Sequence, residues 1–412
     1  MKKLIGVVVG AVVIAWLVAV TVTGKQVTQF LDQELAKAQL TQQSIAVIDY
    51  EWQRKGWRSA ELKVTIKPTI ESLQEEFEWV ENFQITHGFL RSRFVGETSL
   101  ALSGKSLADL YGENALTSSG TLSAEGGTIE YVLAPLNYQE GEATITHEAA
   151  VMRAVVTDTA QHVELVLPEL LVREEVNGEW IDGIKIQNVN VVSQAEINDK
   201  DWLERQQIRY SIGQFSSEYL QLNFSDFAAL LGWQRSGEGI DLTLSVTAPN
   251  GDYMSNAFAA DMAFAVQGFH YESVMAVNDY VQEVLQVAPN DEFEEPSEAE
   301  LEQMASYINT IMEAGAEGQL ERLNVRYDSL GTVAATGDLS LPPGSFSGNH
   351  EEFEQELQAW LASVNVKLNI AELPELMKVS LQSLGVPNRE FPWVLEYSEA
   401  TGVTVNGVKV SE

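Results

Sequence analysis

From Ile45 onward the hydrophobic positions recur at every second residue. Ile129, Tyr131 and Leu133 form one such run, and Val163, Leu165 and Leu167 another. Ile184 and Ile186, then Ile208, Tyr210 and Ile212, continue the pattern. Leu242, Leu244 and Val246, and later Val364, Val366, Leu368 and Ile370, repeat it in the second half. Polar residues such as Glu130, Glu164, Arg209, Thr243 and Lys367 stand between them. A period of two predicts strands with one apolar and one wettable face. Such strands build antiparallel sheets, because strands buried on both faces read as unbroken apolar runs. Turn residues separate the runs at Gly126 and Gly127, Asn177 and Gly178, Asp182 and Gly183, Asn250 and Gly251, and Asn406 and Gly407. Spacings of three and four predict helices at Ser106 to Tyr111, Ser225 to Leu231, Ser273 to Leu323 and Glu351 to Leu361. Within the third, Val274, Val277, Val281 and Leu285 make one apolar face, and Leu301, Met304, Ile308 and Ile311 a second. The fold class expected is mainly β with interrupting helices, α+β, built from elongated curved antiparallel sheets behind one N-terminal transmembrane helix.

That helix is read from Leu4 to Val22, nineteen residues without a charge. At 1.5 Å per residue they reach about 28 Å, close to the hydrocarbon thickness of a bilayer. A cleaved signal peptide is the competing reading, but its apolar region runs to about 7 to 15 residues before a small-residue cleavage site. Lys2 and Lys3 precede the segment, so the positive-inside tendency places the N-terminus in the cytoplasm and the remainder outside. Val27, Phe30, Leu31, Leu35 and Ala38 then fall at helical spacing, and this stripe is read as packing on the protein's own globular part. The organisation expected is an anchor over 1–24, a helical extension over 25–41, and a β-rich region over 42–412 with a soft division near 200.

Composition narrows the function classes. The 412 residues carry 60 acidic against 25 basic side chains, a formal charge of −35, which repels a nucleic-acid backbone. With no cysteine, disulfides, thiolate chemistry and zinc fingers are excluded. Ser103, Gly104, Lys105 and Ser106 match only the end of a phosphate loop, with Ser99 where its first glycine is needed, so this stretch is read as a turn capping a helix. The five histidines lack metal-ligand spacing; after His147 and Glu148, Val151 occupies the position of the second zincin histidine. Gly344, Ser345, Phe346, Ser347 and Gly348 put Phe where a nucleophile elbow has Ser. The acids from Asp291 to Glu302 lack the alternating ligands and turn glycine of a calcium loop. No cofactor or metal is expected, and no catalytic residue is assigned.

The most distinctive stretch is Tyr50, Glu51, Trp52, Gln53, Arg54, Lys55, Gly56, Trp57, Arg58, Ser59 and Ala60. It resembles the aromatic, basic, Gly-Trp, Ser signature that follows the anchor in the YdgA-like family of bacterial envelope proteins. The Lys-flanked N-terminal segment, Gly24 and Lys25 at its exit, and the closing strand pair around Val403 to Gly407 agree with it. The resemblance implies an inner-membrane protein facing the periplasm and carries over no catalytic residue. The layout is also similar to periplasmic proteins of the AsmA type, which present a long hydrophobic β groove; this is analogy at the level of fold alone. Trp52, Gly56 and Trp57 are expected to form a structural corner, Gly56 supplying a bend and the two indoles packing across it. Leu242, Leu244, Val246, Val364, Val366 and Leu368 are expected to line a groove or a core. The function expected is a non-catalytic binding or scaffold module holding an apolar, lipid-like ligand; the alternative is a periplasmic hydrolase with a dispersed site. Partners expected are the inner membrane, through Leu4 to Val22, and a lipid or envelope protein; homo-oligomerisation is left open.

Overall fold

The computed structural model describes residues 20–33, 35–36, 39, 46–68, 77–102, 105–112, 115–123, 125–157, 159–198, 202–277, 306, 309–311, 315–344, 350–383, 386 and 391–410. The expected span Leu4–Val22 lies outside these residues except at 20–22. So do the whole acidic run Asp291–Glu302 and the residues Ser345–Gly348. Among the described residues no helix is long and apolar enough to cross a membrane. The fold is mostly antiparallel β, and the chain forms two compact units, one within Met1–Pro168 and one within Glu169–Tyr280 and Glu294–Glu412.

The described part of the first unit opens with helix α1, whose described residues are 20–33, 35–36 and 39. Its strands are β1 (Ala46–Lys55), β2 (Ser59–Pro68), β3 (Phe77–His87), β4 (Ser92–Leu102), β5 (Lys105–Ser106), β6 (Leu116–Ser123), β7 (Gly126–Leu133), β8 (Leu136–Glu140), β9 (Ala143–His147), β10 (Ala150–Thr157) and the first half of β11 (Ala160–Val176). Pairing runs β1, β2, β3, β4, β6, β7, β10, β11, every step antiparallel. Alternation sends Ala60, Leu62 and Val64 of β2 to one face, where they meet Ile85 and Phe94 in a buried cluster. Leu31 and Leu35 pack against that cluster, so the stripe after Gly24 does dock on the protein's own sheet. Helix α2 (Leu107–Tyr111) opens at Ser106, whose hydroxyl accepts from Ala108 N while the Asp109 carboxylate accepts from Ser106 N.

The second unit is a meander of β12 (Glu179–Ile197), β13 (Leu203–Ser217), β14 (Leu222–Ser236), β15 (Gly239–Tyr253), β16 (Asn256–His270), β17 (Ala316–Tyr327), β18 (Gly331–Leu341), β19 (Asn365–Glu372), β20 (Trp393–Ser398), β21 (Gly402–Val405) and β22 (Val408–Lys409). Each pairs with the next, antiparallel. Among the described residues the helices that join it include α3, residues 271–277, α4 (His350–Ala362) and α5 (Glu375–Ser383); residues 306 and 309–311 are helical too. The helix expected at Glu351 to Leu361 is α4; α5 was not anticipated.

Four expectations are corrected by the strand backbone. Ser225 to Leu231 is not a helix but the middle of β14, bonded on one side to β13 and on the other to β15. Asp226 takes φ 56 with no register shift against β13 or β15, and Phe224 and Phe227, three residues apart, come within 5.7 Å between ring centres and imitate helical spacing. Of the stretch expected as helical from Ser273 to Leu323, residues 273–277, 306 and 309–311 are helical, 278–305 lie outside the described residues, and the end from Ala316 is strand β17, where the register shifts between Leu320 and Leu323. Asn250 and Gly251 make a bulge within β15, not a turn. Asp182 and Gly183 lie inside β12, where a Cβ on Gly183 would fall 2.2 Å from the Tyr219 ring. Asn177 with Gly178, and Asn406 with Gly407, do turn, all four with positive φ.

Candidate functional site

The register of the second unit sorts its side chains into two faces. One row of partners runs Trp233, Leu242, Val266, Gly318, Leu339, Val366, Tyr397. The next runs Leu231, Leu244, Phe264, Leu320, Gly337, Leu368, Leu395, and the third Ala229, Val246, Met262, Leu323, Ala335, Ile370, Trp393. Cross-strand neighbours share a face, so the six expected lining residues lie on one apolar face of one sheet, Val364 continuing the alternation of β19.

Irregular backbone extends this face instead of breaking it. Asn188 and Asp226 take positive φ (55 and 56) with no register shift there between β12, β13 and β14, while β15 shifts register against β16 between Ala248 and Gly251. Beyond them the row Ile186, Phe215, Phe224, Gly251, Phe258 continues the face, Phe224 lying 5.7 Å from Phe227. Phe215 and Phe224 stack at 4.9 Å. Gly251 is needed there, since a Cβ would fall 2.2 Å from the Phe258 ring.

The two margins of the face are covered. At one, Ile240, Tyr271 and Met275 are buried with Trp202, Trp233 and Leu242 packed around them. Tyr271 begins α3 and is held by polar contacts. Its hydroxyl lies 3.3 Å from Glu204, which also accepts from Asn198 Nδ2 at 2.7 Å and Arg235 Nη1 at 3.0 Å, and the Arg235 guanidinium sits 4.2 Å from the Tyr271 ring centre. Desolvation works against the Glu204 carboxylate, but the donors from Asn198, Arg235 and Tyr271 outweigh it and hold its pKa below the usual value. At the other margin, Ile370, Leu373, Val386, Trp393 and Val405 are buried, with Leu368, Leu381 and Leu395 against them. Val364 is 8 % exposed. Between these margins the face is open to solvent. Leu231 is 47 % and Leu244 37 % exposed, Tyr210 is exposed on the neighbouring strand β13, and Val325 is exposed further along on β17.

The opposite face carries Thr243, Gln319, Asp338, Lys367 and Glu396 in one row and Asp241, Gln267, Glu317, Ser340 and Asn365 in the other. A concavity of about 800 Å³ lies on this side, lined by both rows. Leu242 and Val366 border it from the row between, whose side chains alternate away. Lys367 is bound to Glu396 at 3.4 Å, so the cavity's charge is acidic.

The corner residues lie in the first unit, at the β1–β2 turn. Trp52 Nε1 donates to Asp32 Oδ1 at 2.6 Å, Lys55 Nζ reaches Asp32 Oδ2 at 2.9 Å, and Lys55 stands over the Trp52 ring, so Trp52 ties β1 to α1. Trp57 is exposed, its ring 5.4 Å from the Arg58 guanidinium. Gly56 has no positive φ; what requires glycine is a close approach, a Cβ there falling 2.8 Å from Ser59 O.

Two buried polar groups of the first unit escaped sequence reasoning. Glu81 accepts from Ser118 Oγ at 2.5 Å and Trp79 Nε1 at 2.9 Å, while burial and then Glu81 itself raise the pKa of Tyr131. This carboxylate is fully engaged and acts structurally. His87 shares a 2.7 Å hydrogen bond with Ser92 Oγ, its Nε2 is buried without a partner, and a Cβ on Gly24 would fall 2.8 Å from its ring. No signal in the alternation marks either residue, because both occupy positions where a strand with one apolar face would carry a hydrophobe.

Among the described residues no group of acids and histidines is placed to hold a metal ion. No curated protein matches the chain. A family model described as "Bacterial protein of unknown function (DUF945)" matches residues 1–392, nearly the whole length. The chain belongs to this bacterial family.

Proposed function

We propose that the second unit is a non-catalytic binding module whose apolar strand face holds a lipid-like ligand, in a YdgA-like protein anchored in the inner membrane by Leu4–Val22 with its bulk in the periplasm. The observation that carries the reading is the uncovered middle of the face, where Leu231 and Leu244 are 47 % and 37 % exposed beside Tyr210, with Val325 exposed further along β17. Apolar surface that is contiguous and bare in a water-facing sheet marks an interaction site. An acyl chain fits it on chemical grounds: the exposed middle is built mainly from aliphatic and aromatic side chains, Leu231, Leu244 and Phe264 among them, with no charged group in these rows.

The test uses the full chain in phosphatidylcholine vesicles containing a diazirine-bearing acyl chain. Illumination is expected to place adducts on peptides carrying Leu231, Leu244 and Val325. Leu244→Asp, at an exposed site, should change stability by no more than about 0.5 kcal/mol yet lose most of the adducts. Val364→Asp buries an unpaired carboxylate and should cost about 2 kcal/mol or more. Absence of adducts on the wild-type face, or equal labelling in Leu244→Asp, would overturn the reading.

A further inference from the structure

One end of the second unit's sheet is finished differently from the other. The turns between β13 and β14, β15 and β16, and β17 and β18 all emerge at this end, as does the start of α5 after β19. They present Leu220, 56 % exposed, Met254, 53 %, and Leu330, 56 %, with Tyr219 and Leu376 exposed beside them. The β11–β12 turn adds the exposed Trp180. Hairpin tips are where polar turn residues cost least, so large apolar side chains there call for a reason.

The tips are also joined. Met254 N donates to Gln221 O at 2.8 Å, linking two of them, and Tyr327 OH donates to Tyr253 O at 3.3 Å, linking a third. A Cβ at Gly331 would lie 3.6 Å from Pro374, which precedes α5. The result is one rim, not scattered exposed residues.

Backbone conformation gives an independent sign. Met254 and Ser255 turn β15 into β16 with φ 50 and φ 63. Asn-Gly serves such a turn at the least cost, and the chain uses it at Asn177 and Gly178 and again at Asn406 and Gly407. At 254 it keeps a methionine in a left-handed conformation with its side chain in solvent, a double cost that packing does not repay. Strain retained at an exposed position points to function.

We propose that this rim inserts into the headgroup boundary of a zwitterionic lipid bilayer. Tyr and Trp beside Leu and Met is the composition of a membrane interface, each ring having an apolar body and a polar tip. The apolar groups project from separate tips as shallow wedges, a shape suited to a fluid surface. Acids at the rim, Glu218, Asp252 and Asp328, and a chain charge of −35 disfavour anionic headgroups. The same chain carries the uncharged segment Leu4–Val22, long enough to cross a bilayer. The rim also adjoins the stacked Phe215 and Phe224, so a lipid at the tips would meet the apolar face directly. The inference stands whether or not that face retains a ligand.

A chain without cysteine allows single-site labelling. Leu220→Cys, Met254→Cys and, at the opposite strand ends, Glu399→Cys are each made in the full chain, labelled with an environment-sensitive nitrobenzoxadiazole and reconstituted into phosphatidylcholine vesicles. Labels at 220 and 254 should shift to the blue and lose emission when the vesicles contain phosphatidylcholine spin-labelled near the headgroup, while the label at 399 does neither. Replacing much of the phosphatidylcholine by phosphatidylglycerol at low salt should weaken the quenching, and added salt should restore it. Equal quenching at all three sites, or none at 220 and 254, overturns the proposal. So does a signal at the tips that depends on protein concentration and not on spin-labelled lipid, which would make the rim an interface between copies of this chain. Adducts on Leu244 without quenching at the tips would leave the ligand reading standing and remove this one.

Discussion

At the scale of single residues, His87 is the most exacting position in the first unit. It lies on the core face of β3, on the same side as Phe83 and Ile85, with Ser92 Oγ on Nδ1 and the Gly24 backbone against its ring. Burial lowers its pKa below the ordinary 6.5. A protonated ring would place a charge where Nε2 has no acceptor, so the folded state resists the proton that the unfolded chain takes up freely. The contribution is therefore intact above about pH 6.5 and is lost as pH falls from there toward the lowered folded value. We expect the denaturation midpoint of the full chain to fall over this interval and His87→Phe to flatten that part of the profile. An unchanged slope in the variant would assign the pH dependence to other groups.

Among elements, the helices act as covers for strand faces. α1 covers the first unit's core through Leu31 and Leu35 and is tied to β1 by Asp32, which accepts from both Trp52 and Lys55. α3 covers one margin of the second unit's apolar face through Tyr271, which is 1 % exposed. Tyr271→Ala should cost about 3 to 5 kcal/mol, the usual range for truncating a buried aromatic. Tyr271→Phe should cost only about 1 kcal/mol, because the Glu204 carboxylate keeps Asn198 and Arg235 as donors. Urea denaturation of both variants distinguishes the contributions. Equal losses would mean that the hydroxyl, not the ring, secures α3.

On the scale of the whole molecule, orientation is the property with the simplest readout. Lys2 and Lys3 before an uncharged nineteen-residue segment predict that the bulk of the chain lies outside the cytoplasm. Alkaline phosphatase fused after Glu412 should then be active in cells, and an inactive fusion of normal abundance would reverse the orientation.

Alternation by itself determined a good deal of this protein. It located the strands through Ile129, Ile184, Ile208, Leu242 and Val366, and it put Leu242, Leu244, Val246, Val366 and Leu368 on one side, because side chains along a strand have only two directions. Composition excluded cysteine chemistry and made nucleic acid a poor partner. Helical spacing foresaw α2 and α4, where the local pattern and the final structure agree. What only the tertiary structure decided lies where backbone geometry departs from regularity. The positive φ at Asp226 and the register shifts between Leu320 and Leu323 and between Ala248 and Gly251 interrupt the period of two, so one strand face looked like a helix in sequence. Nor does alternation tell which apolar rows a helix will cover: Leu244 and Val364 read alike along the chain, yet one is bare and the other buried. The rim at Leu220, Met254 and Leu330 was likewise illegible, because its members are far apart in sequence and meet only when antiparallel pairing brings their turns to one end of the sheet.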